Sequence, residues 1–320
     1  MKVFLSHIID PQNRTLLSAL DLVKSHPSRQ FTLTRNIEEA DVVLYVEYGY
    51  LGLTDLPKLI SRLRVAPHAM HFLFGETDWP FPVLPGAYPS LSRPVSWADT
   101  WSYLPSFPKT GGASTAKTPE FLFSFLGRTG THPVRAKVRL LDSVSTPCID
   151  ISEGPSRFPD FEYVTTYRRL IERSRFVLCP RGFGASSMRV FETMALGRIP
   201  VIISDAWRPP PAVPWSDVSV RVHEHDVPNI PTLLTRLEGE AEAMSRLGRQ
   251  VFNGRYAPEV FLDELLSSLI ARHSGLSFST RATYWRAVRA IGWREVRAII
   301  RQARTWALRR PTVPPDGRIA

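Results

Sequence analysis

"FVLCPRGFGASSMRVFETMALGRIPVIISD", residues 176–205, decides how this chain folds. It opens on an unbroken apolar run, Phe176 to Cys179, the pattern of a buried strand. Pro180, Gly182 and Gly184 break that run. Ser187 to Leu196 then has helical spacing, and Pro200 to Ser204 is a second apolar strand. Strand, loop, helix and strand in direct succession form a βαβ unit, which implies a parallel sheet covered by helices.

The pattern extends in both directions. Upstream, Phe121 to Leu126 reads as a strand, and Val134 to Asp142 and Tyr163 to Glu172 read as helices. Downstream, helices to about Arg272 close the domain. The first hundred residues alternate in the same way. Val3 to His7, Phe31 to Thr34, Val42 to Val46 and Ala69 to Phe74 are strand patterns; Thr15 to Lys24 and Leu56 to Leu63 are helical. Between the halves, proline is frequent from Pro80 to Pro119, and residues 108–119 read as a flexible linker. The fold class expected is α/β: two Rossmann-like domains, 1–110 and 120–275, facing a cleft, with a basic helical tail at 281–310. In open α/β sheets ligands bind beyond the carboxyl ends of the strands, and the loop Pro180 to Ser186 lies at such an end.

That loop has the chemistry of an anion site. Gly182 and Gly184 let backbone amides approach a ligand. Ser186 or Ser187 is suited to cap the helix, whose N-terminus offers free N–H groups and a positive dipole end. Arg181 and Arg189 add charge and forked hydrogen bonding. Glu192, three residues after Arg189, shares its face and suits a sugar diol. Met188, Phe191 and Ala195 fall on another side, expected to pack on the sheet. Together these describe a nucleoside-diphosphate site. The bland alternative is a surface ion pair between Arg189 and Glu192 beside an ordinary turn. A dinucleotide fingerprint fits poorly, because Ser187 stands where its third glycine belongs.

The order of residues carries more than the loop does. Ser174, Phe176, Leu178, Pro180, Gly182, Gly184, Ser187, Arg189, Glu192, Gly197, Ile199, Pro200, Val201, Ile202, Ser204 and Asp205 follow a pattern that resembles the exostosin family of glycosyltransferases. Upstream, "FSFLGRTGTHPVRAKVRLLD" resembles the F-x-G-R strand, loop and helix that open that family's donor domain. Downstream, the segment carrying Trp215 and Ile230-Pro231 fits as well, and "IEEADVVLYV" resembles a strand of the acceptor half. The resemblance is strong over about residues 120–260, weak before 110 and absent after about 275. It implies a GT-B architecture and inverting transfer of a sugar from a nucleotide donor, usually a UDP-sugar. By matched position it implies that Arg189 holds the diphosphate, Glu192 the ribose, and Arg128 the leaving group. Gly182, Gly184, Ser186 and Ser187 would shape the loop around the phosphates.

The leaving diphosphate gains charge in the transition state and needs a preorganised cation or dipole. No D-x-D triplet, the usual metal-holding sequence, occurs in the chain. The arginines and the helix end are the expected substitute, so no metal and no other cofactor is expected. Inversion also needs a base to take the acceptor's proton. "HFLFGETDWPFP", residues 71–82, offers Asp78, preferred, and Glu76 after an apolar strand; the alternative is that they cap the turn before Pro80. His71 is a reserve base, and His68 reads as structural. His223 and His225 are spaced like metal ligands, but one pair is too little for a site. Asp205 is placed to cap a turn or touch the donor.

The formal charge of +10 is uneven. Residues 281–310 hold nine arginines and one acid, Glu295, so the rest of the chain is close to neutral. That argues against a general nucleic-acid surface. On a helix, Tyr284, Trp285, Val288, Ile291, Val296, Ile299, Ala303 and Trp306 share a broad face opposite Arg286, Arg294, Arg297, Arg301 and Arg304. This is the composition of an interfacial membrane helix, or of one that packs its tryptophans on the body. Cys148 and Cys179 are too few for a disulfide framework, and Cys179 reads as a buried thiol. The opening residues read as a first strand rather than a signal peptide. The placement expected is cytoplasmic, with the tail able to attach to the inner face of a membrane, and the sequon at Asn13 without meaning. The partners expected are a nucleotide-sugar donor, a glycan or lipid-linked glycan acceptor, and no nucleic acid. The competing reading is a non-catalytic, donor-binding scaffold for another transferase.

Overall fold

The computed structural model describes residues 1–8, 14–48, 55–105, 118–152, 161–276, 281–283 and 285–286. They build two parallel sheets. The first contains β1 (Lys2–Ser6), β2 (Thr32–Leu33), β3 (Val42–Glu47), β4 (Met70–Gly75), β5 (Gly86–Ala87) and β6 (Ala98–Asp99), in the order β2-β1-β3-β4-β5-β6. The second contains β7 (Phe121–Gly127), β8 (Cys148–Asp150), β9 (Ser174–Pro180), β10 (Ile199–Ile203) and β11 (Val220–Val222), in the order β11-β10-β9-β7-β8. In each the chain winds outward once, returns past its first strand and winds the other way. The order therefore reverses between β1 and β3, and between β7 and β9, and such switch points open crevices for ligands. The two parallel-sheet α/β domains expected from the sequence are what the chain forms.

The long strands are central because their sequences allow nothing else. Every residue of β3 is buried, as a strand covered by helices on both faces must be. Helices α1 (Arg14–Ser25) and α2 (Leu56–Val65) serve the first sheet. Helices α3 (Pro133–Arg139), α4 (Phe161–Glu172), α5 (Met188–Ala195), α6 (Trp215–Val218), α7 (Ile230–Arg236) and α8 (Ala241–Arg255) serve the second. Pro133 starts α3, where its missing N–H costs nothing, and His132 accepts the Val134 amide at 3.3 Å. The helix ends at Arg139 rather than Asp142, because the Asp142 carboxylate instead accepts the Cys148 amide at 2.7 Å, ahead of β8. Both cysteines are buried thiols.

Four strands escape the sequence pattern because they are two or three residues long: β5, β6, β8 and β11. The proline-rich stretch after Pro80 is therefore not all linker; β5 and β6 extend the first sheet through it. Gly86 makes this possible, since a Cβ there would lie 1.9 Å from the Leu73 carbonyl oxygen.

The last long helix, α9 (Phe261–His273), crosses back to the first domain. The ring of Phe261 meets Phe74 edge to face at 5.8 Å, and the Ser267 hydroxyl donates to Gln30 at 2.7 Å. At its C-terminus Arg272 and His273 reach the buried Asp99 carboxylate at 2.9 and 2.8 Å. Burial works to raise the Asp99 carboxyl, but these two partners hold it below the ordinary range. A division at residue 275 thus cuts the sequence, not the packing. The start of the tail also departs from its helical wheel. Residues 281–283 and 285–286 are helical, but Arg286 is buried near Tyr88 while Trp285 is 53 % exposed. Tyr284 and residues 287–310 of the tail, and residues 108–117 of the linker, lie outside the described residues. Among the described residues no helix is long and apolar enough to cross a membrane.

Candidate active site

The second switch point is built from two strand ends, Gly127-Arg128 after β7 and Pro180-Arg181 after β9. Arg135, one turn into α3, ties them together. Its Nε donates to the Arg181 carbonyl at 2.9 Å, Nη1 to that of Arg128 at 3.1 Å and Nη2 to that of Pro180 at 3.3 Å. Burial, with Arg189 close by, draws its guanidinium down to about 10, still cationic at neutral pH. Arg181 in turn links to β10, its amide donating to Ile203 at 3.1 Å, and its side chain approaches Glu224 at 3.8 Å. Gly182 packs against Arg135, and the Ser204 hydroxyl holds the loop by donating to the Ala185 carbonyl at 2.8 Å.

Ser187 is the N-cap of α5, in extended geometry, but its hydroxyl makes no capping bond. Ser186 does not cap either; it is buried beside the Tyr103 phenol. Arg189 is only 8 % exposed. Its guanidinium lies between the rings of Phe125 and Tyr167, at 4.8 and 5.5 Å, and donates to the Leu126 carbonyl at 2.7 Å. Its Nε and Nη1 have no hydrogen-bond partner among the described residues. Glu192 accepts the Tyr167 hydroxyl at 2.5 Å, and burial raises its carboxyl. The two are enclosed and do not form a surface pair.

The apolar face of α5 also differs from expectation. Val190, Thr193 and Met194 are the buried inner side, whereas Met188, Phe191 and Ala195 face the seam between domains. With Glu192, Tyr103 and Tyr256 they line a cavity of about 40 Å³.

Across the seam stand the carboxylates that follow β4. Glu76 is pinned by its own backbone, whose amide donates to Glu47 at 2.7 Å, and its Oε1 accepts the Leu104 amide at 2.5 Å. Burial pushes its carboxyl up to about 7. Asp78 reaches the glycine loop itself. Its carboxylate packs against Gly184, with Oδ1 2.7 Å from where a Cβ there would stand, and Arg135 and Arg181 lie within electrostatic range. It keeps one side in solvent, yet its crowding raises the carboxyl, with these three neighbours pulling the other way. Next to it the Trp79 and Phe183 rings meet at 5.7 Å.

Residues 98–237 match the family model of the Exostosin GT47 domain. The match covers less than half of the chain. A "Probable beta-1,4-xylosyltransferase" of Arabidopsis thaliana is 43 % identical over 81 residues, 25 % of this chain and 20 % of that protein. A "Probable glucuronosyltransferase" of Oryza sativa subsp. japonica is 38 % identical over 95 residues, 29 % of this chain and 20 % of that protein. The match to these curated relatives thus spans about a fifth of their length. A solved α1,3-fucosyltransferase superposes at a TM-score of 0.44 with 13 % identity, over 85 % of this chain and 88 % of that one.

The matched segment, residues 98–237, takes in β6 and Leu104, which holds Glu76. It contains Arg128, Arg181, Gly182, Gly184, Ser186, Ser187, Arg189 and Glu192, and the structure brings all of them to one switch point; Glu76 and Asp78 meet it from outside. Arg135, Tyr103 and Tyr167 were missed. Arg135 stands in the quoted "FSFLGRTGTHPVRAKVRLLD" run, but its partners become adjacent only when β7 and β9 pair. His71 is not at the site: it is buried between the Tyr45 hydroxyl, at 3.1 Å, and the Ala66 carbonyl, at 2.7 Å. His68 is exposed on the far side. His223 and His225 are exposed and stack on each other at 5.5 Å, with Asp205 holding His223 at 3.0 Å. Asp205 also accepts the Glu224 amide at 3.2 Å, so it does brace a turn.

Proposed function

We propose that this chain is an inverting, metal-independent glycosyltransferase that moves a sugar from a UDP-linked donor to a glycan or lipid-linked glycan. One observation carries the reading: a glycine-lined, arginine-rich strand end of an exostosin-like segment faces two carboxylates across a domain seam. The names of the relatives, xylosyl- and glucuronosyltransferases, favour a UDP-sugar.

The leaving diphosphate takes the Gly182–Gly184 loop and the open first turn of α5. Arg181 and Arg128 meet it from the surface. Arg135 and Arg189 supply charge from behind, where low dielectric strengthens each charge. These four guanidiniums are what supports metal independence. Glu192 is assigned to the ribose, which enters when the seam parts. For the base, the surroundings favour Glu76 over Asp78. A carboxylate near pH 7 matches the proton-transfer task, whereas Asp78 has three partners that stabilise its charge. The test is release of UDP from UDP-sugars supplied with short xylan or glucuronoxylan oligosaccharides. Turnover that persists in EDTA supports the reading; no turnover, with UDP still bound, favours a donor-binding scaffold.

The tail is assigned to an anionic membrane surface on the cytoplasmic side, supported by nine arginines interleaved with tryptophan in 281–310. Removing residues 287–320 is expected to abolish sedimentation with phosphatidylserine vesicles. Equal pelleting of both forms overturns that assignment.

A further inference from the structure

The glycine loop is occupied by the protein itself. Asp78 belongs to the first domain and follows β4; Gly184 belongs to the second and follows β9. A Cβ built on Gly184 would lie 2.7 Å from Asp78 Oδ1, 3.0 Å from Asp78 Cα and 2.5 Å from Ser90 Oγ. The two domains therefore touch at this glycine as closely as backbone allows. The Asp78 carboxylate lies against the Gly184 backbone, within electrostatic range of Arg135 and Arg181, the groups that would face an anionic ligand. Beside it the Trp79 and Phe183 rings meet at 5.7 Å, and along the seam Glu192, Tyr103 and Tyr256 line a cavity of about 40 Å³.

From this contact we infer that Asp78 is an interdomain latch, a carboxylate that occupies the anion seat on the glycine loop and holds the cleft shut until a diphosphate displaces it. The inference rests on the donor-site reading above. It gives the glycine at 184 a reason that a phosphate loop alone does not require, because the latch needs backbone-to-carboxylate approach at that residue. It also accounts for a carboxylate set among the cations of a diphosphate site, where its charge repels the ligand. The chain offers its own anion first, and a ligand with more charge on the same seat wins it. Apparent affinity is then reduced by the fraction of molecules that are latched.

The experiment uses the full chain and inorganic pyrophosphate, titrated by calorimetry into wild type, Asp78→Asn, Asp78→Ala and Arg181→Ala, with small-angle scattering of each free protein. Asp78 lies at the surface, so its variants keep the fold. The latch predicts pyrophosphate binding tighter on the order of tenfold in Asp78→Ala, and a larger radius of gyration of that free variant than of free wild type. Equal or weaker binding in both Asp78 variants overturns the latch. So does free Asp78→Ala that scatters as wild type does. If the Asp78 variants bind like wild type while Arg181→Ala binds less, the donor site stands and only the latch falls. If no protein binds pyrophosphate, both fall.

Discussion

Glu76→Gln is expected to lower sugar transfer by about 10²- to 10⁴-fold, the range a general base contributes, with donor affinity nearly unchanged. The glutamine keeps the acceptor oxygen for the Leu104 amide, so the local structure survives. It cannot take the acceptor's proton. Burial pushes the Glu76 carboxyl up to about 7, which fixes the sign of the pH effect. The base works deprotonated, so turnover rises with pH through about 7 in wild type, and that limb disappears in the variant. Stability moves the other way. A carboxyl raised on folding favours its protonated form, so its contribution weakens as pH climbs from the ordinary carboxylate range toward the folded value. The neutral glutamine avoids that loss. A variant as stable as wild type at pH 8 and yet inactive separates chemistry from unfolding. Near-normal turnover would place the base elsewhere, and Asp78→Asn would be the next variant to assay.

The second large effect is expected at Arg135. Arg135→Met keeps the length of the stem and removes the guanidinium that binds the carbonyls of Arg128, Pro180 and Arg181. Three carbonyls lose a charged donor where water has limited access. Roughly 2–4 kcal/mol of stability should go, since a bond to a charged group is worth about 1.5–3 kcal/mol and some water will enter. UDP binding should weaken by on the order of tenfold or more, because both strand ends of the switch point lose their tie and one cation leaves the site. Arg135→Lys restores charge without the fork, so it should recover part of the binding and less of the stability. Chemical denaturation and UDP calorimetry on the three proteins check this. A methionine variant as stable as wild type would make Arg135 incidental.

Much of this was legible in the sequence, for a simple physical reason. The long central strands β3, β7, β9 and β10 are buried on both faces, so they appear as continuous apolar runs whatever their neighbours are. The glycine loop between β9 and α5 is local, and so is the placement of Glu76 and Asp78 after β4. What was hidden depends on pairs distant in sequence. Arg135 matters only because β7 and β9 are neighbours although β8 lies between them in the chain. Glu192 reads as a free carboxylate until Tyr167, on α4, donates to it. Asp99 gives no hint of α9, more than 170 residues on, which returns to it. The helical wheel placed Arg286 on the face opposite Trp285; the packing near Tyr88 buries Arg286 and leaves Trp285 exposed. Strands as short as β5 and β6 carry too few residues for any period to show.

The central claim is that the exostosin-like segment of this chain binds a nucleoside diphosphate through arginines and loop amides, without a metal ion. Thermal unfolding of the full chain with UDP in excess EDTA tests it most directly, with GDP, CMP and ADP alongside and Arg181→Ala as control. UDP at about a hundred times its dissociation constant should add roughly 2.7 kcal/mol to wild type, with a smaller gain in the variant at the same concentration. No shift with any nucleotide, or a UDP shift that EDTA abolishes, would contradict the account.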